Sequence, residues 1–247
     1  MAFKKRNLFK PGETLKLSRS GVELFMNCQK CFYLERKLNV KALSGFPFNL
    51  NSAVDELLKN EFDGYREQKK PHPYMKDIDK NLIPFQHEDL DKWRANFTGV
   101  QFHHEETDLL LTGAVDDVWI DLDTDELVVV DYKSTSSKDE VNLDKDWQIS
   151  YKRQMEFYQW LLRQNGFKVS NDGYFVYCNG IKDKDSFDEV LEFRVKILHY
   201  QGDDSWVEPT LLDIYKALQS NSIPKKDDEC DTCSYVETRF EISTNKK

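Results

Sequence analysis

The 247-residue chain has no long apolar run. Nothing in it approaches the roughly 20 consecutive apolar residues that a membrane-spanning helix needs. Its opening, Met-Ala-Phe-Lys-Lys-Arg, lacks the apolar stretch of a secretory signal, so a cytoplasmic protein is expected. Cysteine is scarce. Of five, four form two C-x-x-C pairs, Cys28/Cys31 and Cys230/Cys233, with Cys178 left over. Without an export signal, such pairs point to a reducing compartment and metal binding, not disulfides. There is no Gly-x-x-x-x-Gly-Lys-Ser/Thr, so the chain has no P-loop motor and any unwinding partner must be another protein. Internal repeats and low-complexity linkers are also missing.

Positive charge is in deficit: 35 Lys and Arg stand against 44 Asp and Glu, a net charge of −9. That argues against a nonspecific coat on DNA. The distribution is uneven, because residues 1–41 hold ten Lys and Arg against Glu13, Glu23 and Glu35. A basic segment of this kind can touch phosphates or simply form a solvated face.

The chemistry concentrates in a predicted hairpin. Residues 109–122 and 127–133 are rich in Val, Ile, Leu and Trp, and an acidic turn separates them. Asp116 lies on the first predicted strand, Asp131 and Lys133 on the second. Strand alternation sends Asp131 and Lys133 to one face. Two carboxylates suit a hard divalent cation, and an ammonium beside them can stabilise charge or help activate a water. This outlines a phosphodiester-hydrolysing site. A helix predicted over 147–164 follows, with Gln154 and Tyr158 four apart on one face.

Further elements are predicted as helices over 18–38, 52–68 and 88–97, a proline-containing irregular stretch over 71–86, and a strand over 101–106. Beyond the 147–164 helix come strands over 173–178 and 190–199 and a helix over 211–220. Cys178 reads as a small buried hydrophobe. The aromatics Phe46, Phe48, Tyr65, Trp119, Tyr132 and Trp147 are candidates for stacking on unpaired bases, although core packing is the ordinary role for each. His103 and His104, just before the hairpin, are candidates for phosphate or supporting contacts. Residues 243–247 read as a frayed tail.

Gly113, Asp116, Asp131, Lys133, Gln154 and Tyr158, in this order and spacing, resemble the RecB-type branch of the PD-(D/E)XK nuclease superfamily. The resemblance implies an α/β, restriction-endonuclease-like core, αβββαβ, with a mixed central sheet flanked by helices. It implies one nuclease domain over 1–247, divided into a basic segment (1–17), a helical part (18–108), a catalytic core (109–200) and a C-terminal helix with a cysteine clasp (201–247). Residues 18–33, and the 211–220 helix with Pro224 and the second cysteine pair, are similar to the opening and ending of the CRISPR-associated adaptation nucleases. There, four cysteines bracket the domain and hold an iron–sulfur cluster. The better-known pattern has one early cysteine and three late ones, whereas this chain has two and two. Its four-cysteine set therefore suits a [4Fe-4S] cluster or a tetrahedral Zn²⁺.

By the same resemblance, Mg²⁺ or Mn²⁺ is held by Asp116, Asp131 and the Tyr132 backbone carbonyl, with Gln154 and Tyr158 orienting DNA or Lys133. The family's early-helix histidine corresponds here to Asp55, which is expected as a third carboxylate ligand, with Glu56 as the alternative if the register shifts by one. Asp55 can equally be a first-turn acid on a helix capped by Asn51 or Ser52. The implied activity is a metal-dependent deoxyribonuclease, exonucleolytic on single-stranded or end-containing DNA, in repair, recombination or CRISPR-type processing. A helicase or adaptation protein is the implied partner. The alternative is a catalytically silent nucleic-acid or protein-binding module that keeps the fold and the cysteine staple.

Overall fold

A computed structural model describes residues 8–43 and 48–244. Phe46 and parts of the basic N-terminal segment and the C-terminal tail lie outside the described residues. In chain order the elements are β1 (Leu15–Ser18), α1 (Arg19–Asn27), α2 (Gln29–Phe32) with a π-helical turn (Tyr33–Lys37), α3 (Asn49–Glu67), β2 (Leu82–Pro84), α4 (Leu90–Arg94), β3 (Val100–His104), β4 (Leu109–Gly113), β5 (Asp117–Asp121), β6 (Glu126–Thr135), α5 (Ile149–Gln164), β7 (Val169–Gly180), β8 (Phe193–Gln201), α6 (Val207–Gln219) and α7 (Asp231–Thr244). Among the described residues no helix is long and apolar enough to cross a membrane.

Contacts group the chain into two compact units, one of residues 1–46, 103–111 and 205–247, the other of residues 47–102 and 112–204. These units cut across the sequence segments that end at residues 108 and 200. The chain passes from one unit to the other within β3 and β4.

The larger unit is built on a five-stranded mixed sheet in the order β2-β5-β6-β7-β8. β5 and β6 form an antiparallel hairpin, with Asp117 opposite Val130. β6 and β7 run parallel, with Asp131 opposite Phe175. A parallel pair needs a crossover, and α5 supplies it. Alternation along β6 puts Val128, Val130 and Tyr132 into a core with Leu58, Phe62, Trp119, Tyr174 and Val176. Phe62 stacks on Trp119 with ring centroids 5.6 Å apart. Full burial of side chains this size contributes about 1.5–3 kcal/mol each. Asp131 and Lys133 therefore take the other face of β6, the one α5 lies against.

The smaller unit contains β1, α1, α2, α6 and α7, together with the ends of β3 and β4 that join β1 in a three-stranded sheet of order β1-β4-β3.

Several expected boundaries are corrected. The strand expected over 109–122 is two strands in two sheets, β4 and β5, broken at Ala114, Val115 and Asp116. The Val115 amide donates to the Trp93 carbonyl, 3.0 Å away, instead of continuing a ladder. Of the strands expected over 101–106, 109–122 and 127–133, β3 and β4 accordingly lie in one sheet and β5 and β6 in the other. The helix expected over 18–38 is interrupted at Cys28, whose φ of −165° and ψ of 109° are extended. The proline-containing stretch over 71–86 contributes the edge strand β2, and α7 continues past the second cysteine pair to Thr244. Neither Asn51 nor Ser52 caps α3. The helix starts after Phe48, and the Ser52 hydroxyl donates back to the Phe48 carbonyl.

Candidate active site and cysteine centre

Asp116 stands in the break between β4 and β5, and the break explains its position. Gly113 ends β4 with its Cα against a tyrosine ring; a Cβ there would lie 2.6 Å from Cε1 of Tyr158. From that point the chain leaves the ladder and returns at Asp117, so the Asp116 side chain is not taken up by sheet alternation. Its Oδ2 accepts from the Tyr132 amide at 2.8 Å. Asp131 is completely buried. Its Oδ1 accepts from Gln154 Nε2 at 2.7 Å. Its Oδ2 meets the Lys133 ammonium in a close ion pair. The Gln154 amide also reaches the Tyr158 hydroxyl at 3.3 Å.

Charge in this cluster is out of balance. Burial, and then the negative charge of Asp131, push the Asp116 carboxyl up to about 7, with Lys133 and the Tyr132 amide pulling the other way. Asp55 on α3 is also raised, by burial first and then by Asp116. Its nearest cation is Lys59, at 2.7 Å. Burial works against the Lys133 ammonium, but Asp131 and Asp116 outweigh it and hold the group above the ordinary lysine value. Three carboxylates sharing one buried lysine form a donor set suited to a hard divalent cation. Asp55, Asp116 and Asp131 are thus the residues that could hold one. Glu56, the alternative to Asp55, is exposed.

The sequence reading missed the frame behind these residues. Asp117 is fully buried, and its Oδ1 accepts from Arg66 Nη2, from Arg94 Nη2 at 2.7 Å and from the Val118 amide at 2.9 Å. Its Oδ2 accepts from the Tyr132 hydroxyl at 2.9 Å. Arg94 spans Asp63 through Nη1, at 2.9 Å to both oxygens, and its Nε donates to the Asp116 carbonyl at 3.1 Å. The buried network therefore grips both the main chain of Asp116 and the side chain of Tyr132. A buried acid at the head of a strand was the available signal, since it has to find a cation. Nothing local marks Arg66 or Arg94 as its partners.

Tyr151 places its ring 4.6 Å from the Lys133 ammonium. A cleft lined by Lys133, Ser134, Lys145, Trp147, Tyr151 and Tyr177 opens there. Among the stacking candidates, Trp147 (56 % exposed) and Phe48 (78 %) are at the surface, whereas Trp119 and Tyr132 are core residues and Tyr65 packs edge-on to His72. His103 pairs with Asp108, and His104 bonds Thr107 and Glu208, so both are engaged locally.

The four paired cysteines come together in the smaller unit, their sulfurs all within 4.8 Å of one another. Cys28 and Cys233 are buried. Burial opposes the Cys28 thiolate, but hydrogen bonds from the Asp227 and Cys31 backbone and from neighbouring thiols bring its pKa down to about 7. Burial pushes Cys233 up to about 11. Four thiols packed this closely could hold a metal, because a cation lets all of them ionise. Cys178 lies in the core beside Val176, and burial raises it to about 11, in keeping with a plain hydrophobic role.

Comparison with curated proteins gives no match. Against family models, residues 41–238 match the PD-(D/E)XK nuclease superfamily, a span that contains both carboxylates, the lysine, the Gln154–Tyr158 pair and the second cysteine pair. The chain belongs to the PD-(D/E)XK nuclease superfamily.

Proposed function

We propose that this chain is a divalent-cation-dependent deoxyribonuclease whose site consists of Asp55, Asp116, Asp131 and Lys133, with Gln154 and Tyr158 supporting them. The observation that carries the reading is the convergence of Asp116, Asp131 and Lys133, with the buried Asp131 carboxylate held between Gln154 and Lys133 beside a carboxyl pushed up to about 7. Buried carboxylates in that condition favour a bound cation over bulk water.

Asp55, Asp116, Asp131 and the Tyr132 carbonyl would hold Mg²⁺ or Mn²⁺, which would polarise the scissile phosphate and lower the pKa of a water. The side chains divide the remaining work. Gln154 fixes the Asp131 carboxylate by donating to Oδ1. The Tyr132 amide does the same for Asp116. Lys133, kept protonated by its two acidic neighbours, acts as a fixed positive charge that positions the attacking water and offsets charge on the pentacovalent phosphate. A proton-accepting role for Lys133 is disfavoured for the same reason. Trp147 and Tyr151 at the mouth of the adjoining cleft suit unpaired bases, so single-stranded or frayed-end DNA is the preferred substrate, and exonucleolytic cutting the preferred mode. A helicase or an adaptation protein would supply such ends, in repair, recombination or CRISPR-type processing.

The test is cleavage of end-labelled single- and double-stranded DNA with Mg²⁺ or Mn²⁺, wild type beside Asp131→Ala and Lys133→Ala. Cleavage by wild type alone is expected, with losses of several kcal/mol in barrier, enough to abolish detectable product. Metal-dependent cutting by folded Asp131→Ala would refute the assignment. Inactivity of folded wild type towards all substrates would favour the silent binding module.

A further inference from the structure

The thiol spacing bears on a question the sequence leaves open. Four sulfurs bound to one tetrahedral ion at about 2.3 Å lie roughly 3.8 Å apart along each edge. Three of the six separations are 3.5 Å for Cys31–Cys233, 3.6 Å for Cys31–Cys230 and 3.9 Å for Cys28–Cys233, and no pair exceeds 4.8 Å. A cubane with an iron at each of four corners spreads its four ligand sulfurs to roughly 6 Å. The thiols therefore match one ion and are too close together for the cluster.

We infer that Cys28, Cys31, Cys230 and Cys233 bind a single tetrahedrally held ion, zinc by ligand chemistry, in place of a [4Fe-4S] cluster. Zinc closed in by four thiolates with no further ligand is redox-inert and staples a fold. The surroundings hold the spacing. The two pairs are built alike: the Phe32 amide bonds the Cys28 carbonyl and the Ser234 amide bonds the Cys230 carbonyl, both at 3.0 Å. Lys30, between the first two cysteines, reaches Glu237 on α7 at 3.0 Å, and Lys226 reaches the same carboxylate at 2.8 Å. The Tyr33 hydroxyl donates to the Ser220 carbonyl at 3.0 Å, a second tie across the same unit.

The inference does not depend on the nuclease reading, because it concerns composition and not cleavage. The full chain, purified anaerobically from cells supplied with both iron and zinc, is analysed for metals and acid-labile sulfide. About one zinc per chain, no labile sulfide and a colourless solution are expected. Replacing the ion with Co²⁺ should produce the intense visible bands of tetrahedral cobalt thiolate, and these should be lost in Cys31→Ser/Cys230→Ser. About four irons with matching sulfide and absorbance near 400 nm would overturn the inference, as would a wild-type protein that takes up no Co²⁺ at these thiols.

Discussion

Gln154 and Asp131 are joined by a 2.7 Å hydrogen bond that engages one oxygen of a carboxylate with no solvent exposure. The amide thereby decides which oxygen faces Lys133. Gln154→Ala should leave the fold intact and reduce kcat more than KM, because it frees the ligand to rotate without touching the DNA-binding surface. Loss of a partner of this kind costs about 10–100-fold in metal affinity or activity. Steady-state kinetics over a Mn²⁺ series checks this. An unchanged kcat at every concentration would remove Gln154 from the site.

Asp117 serves stability. It neutralises Arg66 and Arg94 inside the protein, so Asp117→Asn leaves two buried guanidiniums with Asp63 alone. Removing one partner of a buried ion pair costs about 3–5 kcal/mol. Urea denaturation should show a loss of that order. Activity should fall as well, because Arg94 holds the Asp116 main chain.

Gly113 is needed for close approach, since its φ is ordinary. A methyl group there would meet Tyr158 Cε1 at 2.6 Å and Cδ1 at 2.9 Å. Gly113→Ala should cost about 1–3 kcal/mol through overpacking. Combining it with Tyr158→Leu should recover part of the loss, and a double-mutant cycle on thermal unfolding would measure the coupling.

The raised Asp116 carboxyl makes a pH signature. Its folded value of about 7 exceeds the ordinary 3.8, so between these limits the folded state binds more protons than the unfolded one. This contribution is therefore fully present in acid and lost as pH rises through about 7. A bound cation offsets the loss. Added Mn²⁺ should accordingly raise Tm more at pH 8 than at pH 6, and Asp116→Asn should remove the difference.

Much of the site was legible because it rests on two short periodicities. Asp131 and Lys133 are two apart on a strand, Gln154 and Tyr158 four apart on a helix, and both spacings hold in the structure. The apolar run over 109–122 concealed a turn, because Ala114 and Val115 look like strand residues and only the tertiary bond from Val115 to Trp93 shows where the ladder stops. The break at Cys28 was hidden in the same way by the helical look of its neighbours. Arg66 and Arg94 lie 51 and 23 residues from Asp117, beyond the reach of any local pattern. The cysteine pairing could be read from sequence as far as a four-thiol set that could hold a metal, whereas the distinction between one ion and four depends on distances.

Cys31 and Cys230 are 199 positions apart, and every residue of the larger unit lies between them in sequence. An ion held by both pairs closes the polypeptide into a ring of about 200 residues. In chain-entropy terms, a cross-link of that span restricts the unfolded ensemble by on the order of 5 kcal/mol. The ring cannot close until Cys230 and Cys233 have left the ribosome. By then Asp55, Asp116 and Asp131 have all been synthesised, so an ion bridging the two pairs would be captured late in the birth of the protein.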